Sequence, residues 1–143
     1  MKEIINKAKQ RGACQRIADV NNYTSAINLF FSPQGREFCI SNNFPTLTDW
    51  QRLSKAKLRE HNILVDADNI TINSNGMVGI VGNTKAKIYA TDPSKIHYIV
   101  AMHGCSIDVI ASDYTIVVIE CSSNVRISVD KQQHSIIHTY KKQ

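Results

Sequence analysis

Between residues 1 and about 61, apolar residues recur three or four positions apart, which is the spacing of one face of an α-helix. Ser32-Pro33 ends one predicted helix, and Pro33 begins the next. Asn42-Asn43 ends this second helix. Thr46 then predicts a helix start, because it can cap the helix while Asp49 lies three residues later in the capping-box position. Together these signals predict a head of four short helices.

Beyond Asn62 the apolar positions alternate with polar ones in short, β-branched segments, a pattern typical of strands. The predicted strands lie in the segments 70–72, 85–90, 97–101, 106–111, 115–121, 125–129 and 135–139. Turn-forming pairs such as Asn75-Gly76 and Asp92-Pro93 separate them. The change of period predicts an α+β protein, with a basic helical head over residues 1–62 and a short-strand β-repeat domain over residues 63–143.

The predicted strands follow one another at a nearly constant interval. Their centres at residues 88, 98, 109, 118, 127 and 137 are separated by ten, eleven, nine, nine and ten positions, which indicates a repeated unit. An antiparallel sheet and a β-solenoid both fit this period. Two-residue hairpins favour Asn-Gly or Asp-Gly turns, and the chain has none after Asn75-Gly76. The pattern therefore favours the solenoid and leaves the antiparallel sheet open.

The composition is that of a folded protein, and the charge is unevenly distributed. Hydrophobic residues make up 43% of the 143 positions and charged residues 20%, which excludes a disordered, coiled-coil or collagen-like chain. Residues 1–62 hold ten Lys or Arg against five acids, whereas residues 63–143 hold seven of each, so the net charge of +5 belongs to the head. A negatively charged partner would therefore be bound by the head.

The basic residues of the head make nucleic-acid binding the alternative function to consider. The residues assigned to this contact are Lys7, Lys9, Arg11, Arg16, Arg52, Lys55 and Arg59. On a single helix, Arg52, Lys55 and Arg59 would lie at positions i, i+3 and i+7 and form one stripe along a phosphate backbone. Tyr23 and Trp50 add aromatic rings on which bases can stack.

No group of residues predicts a reaction or a metal site. His97, His103 and Cys105 are close in sequence, but they match no zinc-binding spacing and lack a fourth ligand. Cys105, His103 and Asp108 combine a thiol, a base and an acid, yet neighbours along a strand alternate between its two faces. We therefore predict no catalytic residue, no metal, no cofactor and no enzymatic activity.

The cysteines and the start of the sequence indicate a reduced, cytoplasmic environment. Cys14, Cys39, Cys105 and Cys121 are far apart and form no Cys-x-x-Cys pair, so free thiols are expected. The first positive charges are followed by no apolar segment, and no apolar run is long enough to span a bilayer. We therefore expect a cytoplasmic protein that does not associate with membranes.

One segment resembles a known family. Residues 35–47, GREFCISNNFPTL, are similar to a Gly-x-x-Phe-Cys…Phe-Pro-Thr segment of an uncharacterised family of small proteins from gut anaerobes and their mobile elements. In that family a short helical head precedes alternating Ala/Val β repeats, which SIDVIASD and NVRISVD resemble here. The resemblance implies the same order of head and repeats and an association with mobile elements or phages. It implies no activity.

The expected function is a structural role or protein–protein contact. A short solenoid exposes flat faces and strand edges that can accept another chain, so self-association or a protein partner is expected. The neutral repeat domain and the missing catalytic residues favour the same function. Nucleic-acid binding by the basic head is the alternative.

Overall fold

A computed structural model describes residues 1–142 and confirms the predicted order of a helical head and a β-solenoid. Over these residues the head holds five α-helices and one 3₁₀ helix. They are α1 (Lys2–Gln10), the 3₁₀ helix Gln15–Asp19, α2 (Tyr23–Phe31), α3 (Pro33–Asn42), α4 (Leu47–Arg52) and α5 (Lys55–Glu60). Gln143, the last residue of the predicted β-repeat domain, lies outside the described residues.

The predicted helix start at Thr46 is confirmed, but the prediction of four helices is wrong. The Thr46 hydroxyl accepts a hydrogen bond from the Asp49 N–H (3.1 Å), and the Asp49 carboxylate accepts one from the Thr46 N–H (3.2 Å). The helix ends early because the chain is extended at Leu53, whose side chain is buried. Ser54 then caps a separate helix, and its N–H donates to the Tyr23 hydroxyl. Local side-chain partners thus replace the continuing helix.

The β-repeat domain holds nine strands in two parallel sheets. The strands are β1 (Ile63–Val65), β2 (Asp68–Asn73), β3 (Met77–Val81), β4 (Thr84–Ala90), β5 (Ile96–Met102), β6 (Ser106–Ala111), β7 (Ile116–Cys121), β8 (Arg126–Lys131) and β9 (Ile136–Lys141). Sheet A has the order β1-β3-β5-β7-β9, and sheet B has the order β2-β4-β6-β8. Consecutive strands therefore alternate between the sheets, and the predicted interval of about ten residues is half a coil.

The parallel register confirms the solenoid and excludes the antiparallel sheet. Ile96 pairs with Ile116 and Ile116 with Ile136, so successive coils repeat after twenty residues. The sequence pattern missed β1, which has three residues, and β3, which contains Gly79. Glycine lowers strand propensity, and so short a strand gives no periodic signal.

The corners of the solenoid contradict the turn argument that favoured it. Two consecutive residues have positive φ at His103-Gly104, Asp113-Tyr114 and Gln133-His134, although none of these pairs is Asn-Gly or Asp-Gly. Contacts between coils stabilise two of these corners, because the Tyr114 ring stacks on His134 with centroids 5.4 Å apart. The Tyr114 N–H also donates to the Gln133 carbonyl oxygen (3.0 Å). A residue other than glycine is strained at positive φ, and the contacts between neighbouring coils offset this strain.

The core forms two clusters that meet across sheet A. Inward side chains of both sheets fill the solenoid, with Ile88, Ile99, Val109 and Ile119 fully buried. The second cluster joins head residues such as Phe30 to outward side chains of sheet A. The head therefore packs on the face of the solenoid. Within residues 1–142 no helix is both long and apolar enough to cross a membrane.

Candidate functional site

Over β1, β3 and β5 the head covers the carboxyl-terminal half of the outer face of sheet A, whereas Tyr140 on β9 is 62% exposed. Outward side chains near the carboxyl ends of its strands, including Val65, Val81, Val100 and Met102, are buried in the cluster that holds Phe30 and Trp50. They lie at outward positions because strand neighbours alternate between the two faces of a sheet. The amino-terminal half of the same face is not covered by the head.

Arg36 marks the border of the covered half. Its Nε donates to the Glu120 carboxylate (2.9 Å), and its guanidinium lies 4.3 Å from the centre of the Tyr98 ring. It also donates to the backbone carbonyl oxygen of Phe31. Because Arg36 is 7% exposed, this set of contacts attaches α3 to β5 and β7 at the rim of the head.

The uncovered half of the face carries a ladder of identical apolar side chains. Ile96, Ile116 and Ile136 are stacked in register and are 45%, 40% and 47% exposed; we call them the isoleucine ladder. Tyr98 and Val118 lie two residues further along β5 and β7, on the same outer face, and are half-buried. Exposed apolar side chains that form a contiguous group on an otherwise polar protein mark interaction surfaces.

The outer face of sheet B differs from this surface. Its outward side chains are mainly polar or charged: Asn69, Thr71, Asn73, Lys85, Lys87, Tyr89, Ser106, Asp108, Ile110, Arg126, Ser128 and Asp130. One apolar residue among them, Ile110, is half-buried. Sheet B forms with mainly polar side chains on its outer face, so strand formation alone does not require the isoleucine ladder of sheet A.

The last coil is the second uncovered surface. In the described residues β8 pairs with β6 alone and β9 with β7 alone, so each presents one unpaired edge. Val129 occupies an inward position but is 45% exposed, because β8 has no strand on its far side within the described residues. Lys131 and Lys141 also occupy inward positions, where the preceding coil has Ala111 and Cys121. Charges at inward edge positions oppose pairing with another chain.

The seven basic residues predicted for nucleic-acid contact are spread over four elements. Lys7 and Lys9 lie on α1, Arg11 follows it, Arg16 lies in the 3₁₀ helix, Arg52 lies on α4, and Lys55 and Arg59 lie on α5. The break at Leu53 separates Arg52 from the other two, so the predicted stripe on a single helix is wrong. The structure joins Lys7 and Arg52 through a shared ion-pair partner, Glu3 (3.3 and 3.5 Å).

Lys7 also pairs with a buried carboxylate. Its Nζ lies 2.7 Å from the Asp49 carboxylate, whose side chain is 2% exposed. Burial raises the pKa of Asp49, but hydrogen bonds from Lys7 and Thr46 outweigh burial and hold that pKa below its ordinary 3.8. The hydrogen bond to Asp49 raises the pKa of Lys7 above 10.5. Lys7 therefore serves the packing of α1 against α4 within the head.

The histidines that a metal site would need are engaged in packing. His97 is fully buried, its Nδ1 accepts from the Ser74 hydroxyl (2.7 Å), and its Nε2 donates to the Asp92 carbonyl oxygen (2.9 Å). His103 donates through Nε2 to the Pro45 carbonyl oxygen (2.7 Å) and links a solenoid corner to the head. Among residues 1–142 no three His, Cys, Asp or Glu side chains are grouped to hold a metal ion.

The thiol, base and acid that were considered near Cys105 do not converge. Cys105 points into the core and donates to the Ile80 carbonyl oxygen, whereas Asp108 lies on the outer face of β6. Burial raises the pKa of the Cys105 thiol to about 12. A thiol with this pKa carries almost no nucleophilic thiolate at neutral pH. Cys105 is therefore a core residue.

Comparison with known proteins assigns no family to this chain. No family model, curated protein or solved structure matches this chain. Function is therefore inferred from the surfaces. Sequence analysis had missed the isoleucine ladder, although the signal was present as an isoleucine at positions 96, 116 and 136.

Proposed function

We propose that this protein acts by protein–protein contact through the isoleucine ladder, with a second copy of the chain as the partner. The carrying observation is that Ile96, Ile116 and Ile136 form an exposed apolar stack beside a half-face that the protein covers with its own helices. Burying such side chains against another chain is favourable by about 25 cal/mol for each Å² removed from water.

A second copy fits this surface because the ladder is self-complementary. The three rungs carry the same uncharged side chain, so a two-fold axis brings apolar side chains against apolar side chains without pairing like charges. Such a contact closes after two chains. Open-ended stacking of coils is opposed by Lys131 and Lys141, because stacking would bury both charges.

A non-catalytic role is part of the proposal. Burial raises the pKa of the Cys39 and Cys105 thiols to about 12, and the Cys121 pKa is raised as well, so three of the four thiols are poor nucleophiles. The resemblance of residues 35–47 adds an association with mobile elements or phages, which the identity of the flanking genes would test.

Nucleic-acid binding is the second candidate, favoured by the exposed cations of the head. Among the described residues, Lys9, Arg16, Lys55 and Arg59 are exposed and form no ion pair. Binding to phosphates releases counterions and weakens steeply with salt, whereas apolar contact survives moderate salt. The two candidate functions therefore predict opposite effects of salt on association.

Sedimentation velocity over a range of protein concentrations, at low and high salt and with or without mixed duplex DNA, separates them. We expect a dimer that depends on concentration, persists at high salt and does not sediment with DNA. Ile116→Asp should weaken dimerisation about tenfold or more, because the carboxylate would be buried in an apolar contact. The matched change Ile110→Asp, on the outer face of sheet B, should leave it unchanged.

A chain that stays monomeric at all concentrations would contradict the proposal, as would equal effects of the two aspartate variants. Sedimentation with DNA at low salt, lost in the triple variant R52A/K55A/R59A, would establish the nucleic-acid candidate in its place.

A further inference from the structure

The first coil of the solenoid leaves one strand edge free. Within residues 1–142, β2 pairs with β4 alone, so the backbone N–H and C=O groups on its other side have no strand partner. On the sheet A side of the same coil, α5 packs against β1. Leu64 of β1 is at an inward position and is only 6% exposed, although β1 also pairs with one strand alone. The head therefore covers the end of the coil beside β1 and leaves β2 open.

The inward side chains in the middle of the open edge are apolar. Ile70 and Ile72 pack against the solenoid core, but each is only half-buried because β2 has no strand on its other side within the described residues. The corresponding edge of the last described coil, on β8, has Lys131 at an inward position, where its charge opposes pairing. The middle of β2 has no such charge, so its edge can pair with a further strand.

A groove of about 490 Å³ lies along the carboxyl-terminal part of this edge. Ile70, Ile72 and Asn73 of β2 line it together with Leu64 of β1. Among the described residues that line the groove, Arg59 of α5 is the one with a charge. Arg59 is exposed and forms no ion pair within the described chain. A carboxylate bound in the groove would therefore meet an unpaired cation.

An acid lies at the opposite end of the same edge. Asp68 begins β2, is exposed, and forms no ion pair within residues 1–142. It does not line the groove, which reaches the other end of β2 at Asn73. The edge therefore has a negative charge at its amino end and a positive charge toward its carboxyl end. A strand that presents a base to Asp68 and an acid to Arg59 complements both charges.

A single extended strand fits this edge, whereas a whole coil does not. A coil from a second copy of the chain would meet the head where α5 covers β1. One strand beside β2 pairs with the open edge only and avoids that contact. The geometry therefore favours an extended segment of a different protein.

We propose that β2 binds an extended segment of a partner protein as a further strand of sheet B. The segment runs parallel to β2, as the paired strands of sheet B do. It carries a basic residue near Asp68, two alternate apolar residues against Ile70 and Ile72, and an acid near Arg59. Backbone hydrogen bonds to the free edge supply affinity, and the alternate side chains supply specificity. This contact is separate from the isoleucine ladder.

Two capped peptides of identical composition, acetyl-KTVTVTE-amide and its reverse acetyl-ETVTVTK-amide, serve as probes for the ¹⁵N-labelled full chain. In the parallel orientation the first brings its lysine to Asp68 and its glutamate to Arg59, whereas the second brings like charges together. We expect saturable shifts of the β2 amide signals and about fivefold or tighter binding of the first peptide. Equal affinities, or tighter binding of the reverse peptide, would overturn the proposal.

Arg59→Glu tests the charge at the carboxyl end of the edge. Each peptide then meets one opposite charge and one like charge, so the two affinities should become similar. Lys55→Glu is the matched control, because Lys55 is exposed on the same helix but does not line the groove. It should leave the preference for the first peptide unchanged, and an equal loss of preference in both variants would contradict the role of Arg59.

Ile72→Lys tests the apolar inward position, because it gives the middle of β2 the kind of charge that Lys131 gives β8. It should abolish binding of both peptides, whereas Thr71→Lys, at the adjacent outward position, should bind them as the unaltered chain does. Unchanged amide signals elsewhere in the solenoid are the folding control. Equal binding by the two lysine variants would contradict the proposal. A dimer lost in Ile72→Lys and kept in Thr71→Lys would assign the edge to a second copy and overturn it.

Discussion

At the scale of single residues, several buried polar side chains are hydrogen-bonded to partners on other elements of the fold. The Asp49 carboxylate accepts hydrogen bonds from the Thr46 N–H at the start of its own helix and from Lys7 on α1. His97 joins the Ser74 hydroxyl to the Asp92 carbonyl oxygen inside the solenoid. Polar groups removed from water need such partners, so each of these side chains helps to set how two elements meet.

Replacing Lys7 by Met should move the acid-unfolding midpoint to higher pH. The pKa of Asp49 is lowered in the folded chain, so its ionisation stabilises the fold above pH 3.8 and this stabilisation is lost as the pH falls through the lower folded value. Without Lys7, burial raises that pKa with less opposition, and the loss begins at higher pH. Circular dichroism during acid titration measures the midpoint.

Lys9→Met is the matched control, because Lys9 lies on the same helix but is exposed and forms no ion pair within the described chain. The charge of Lys7 stabilises the fold at every pH below 10.5. Because the pKa of Lys7 is raised in the folded chain, this stabilisation is lost only as the pH rises through the higher folded value. Equal acid midpoints for the two variants would contradict the role of the Lys7–Asp49 pair.

At the scale of elements, each coil completes the core of the one before it. Ile107 and Val109 on β6 are buried because β8 lies above them, whereas Ile127 and Val129, one coil later, are only partly covered. A strand of this fold therefore has little stability without its neighbours in the stack. In the last described coil, Lys131 and Lys141 lie at inward positions, where their charges oppose pairing with another chain.

The double variant K131A/K141A should add end-to-end association to the ladder contact. Alanine restores the apolar inward surface that Ala111 and Cys121 provide in the preceding coil. Removing two charges that stacking would bury should raise the association constant about tenfold or more. Sedimentation velocity would then detect species larger than a dimer.

K85A/K87A is the control, since it removes the same two charges from exposed outward positions on β4. If both double variants associate equally, net charge would be the cause and the edge-protection role of the inward lysines would be wrong.

At the scale of the whole molecule, head and solenoid share one apolar cluster and are held together at its rim. The cluster joins Phe30 and Trp50 of the head to Val81 and Val100 of sheet A. Arg36 attaches α3 to Glu120 and Tyr98 beside it, and Lys142 donates from the end of the solenoid to the Ser41 carbonyl oxygen. The two halves should therefore unfold together.

Arg36→Met should lower the free energy of unfolding by roughly 3 kcal/mol, because it leaves the Glu120 carboxylate and the Phe31 carbonyl without their donor. Urea denaturation followed by circular dichroism measures the loss. Arg126→Met, at an exposed outward position of sheet B, should change stability by less than about 0.5 kcal/mol. Similar losses of unfolding free energy in the two variants would show that removal of one positive charge, and not of the Arg36 contacts, causes the effect.

Local sequence patterns predicted the helices and strands better than they predicted which side chains form a common surface. Ser32 and Thr46 begin helices by accepting hydrogen bonds from N–H groups three residues later, so the local sequence contains the whole interaction. The break at Leu53 depends on a hydrogen bond to Tyr23 and on burial in the head, and no local pattern contains either. The predicted basic stripe failed for the same reason.

The sequence by itself determined the α+β order, the change of period near residue 62 and the recurring strand interval, because each arises from neighbouring residues. Only the tertiary structure decided that one coil takes two of these intervals and that the head covers part of the outer face of sheet A. The exposure of the isoleucine ladder depends on that covering, and the inward positions of Lys131 and Lys141 depend on the pairing of the strands. Which side chains remain exposed is set by contacts between distant segments, which the order of residues does not display.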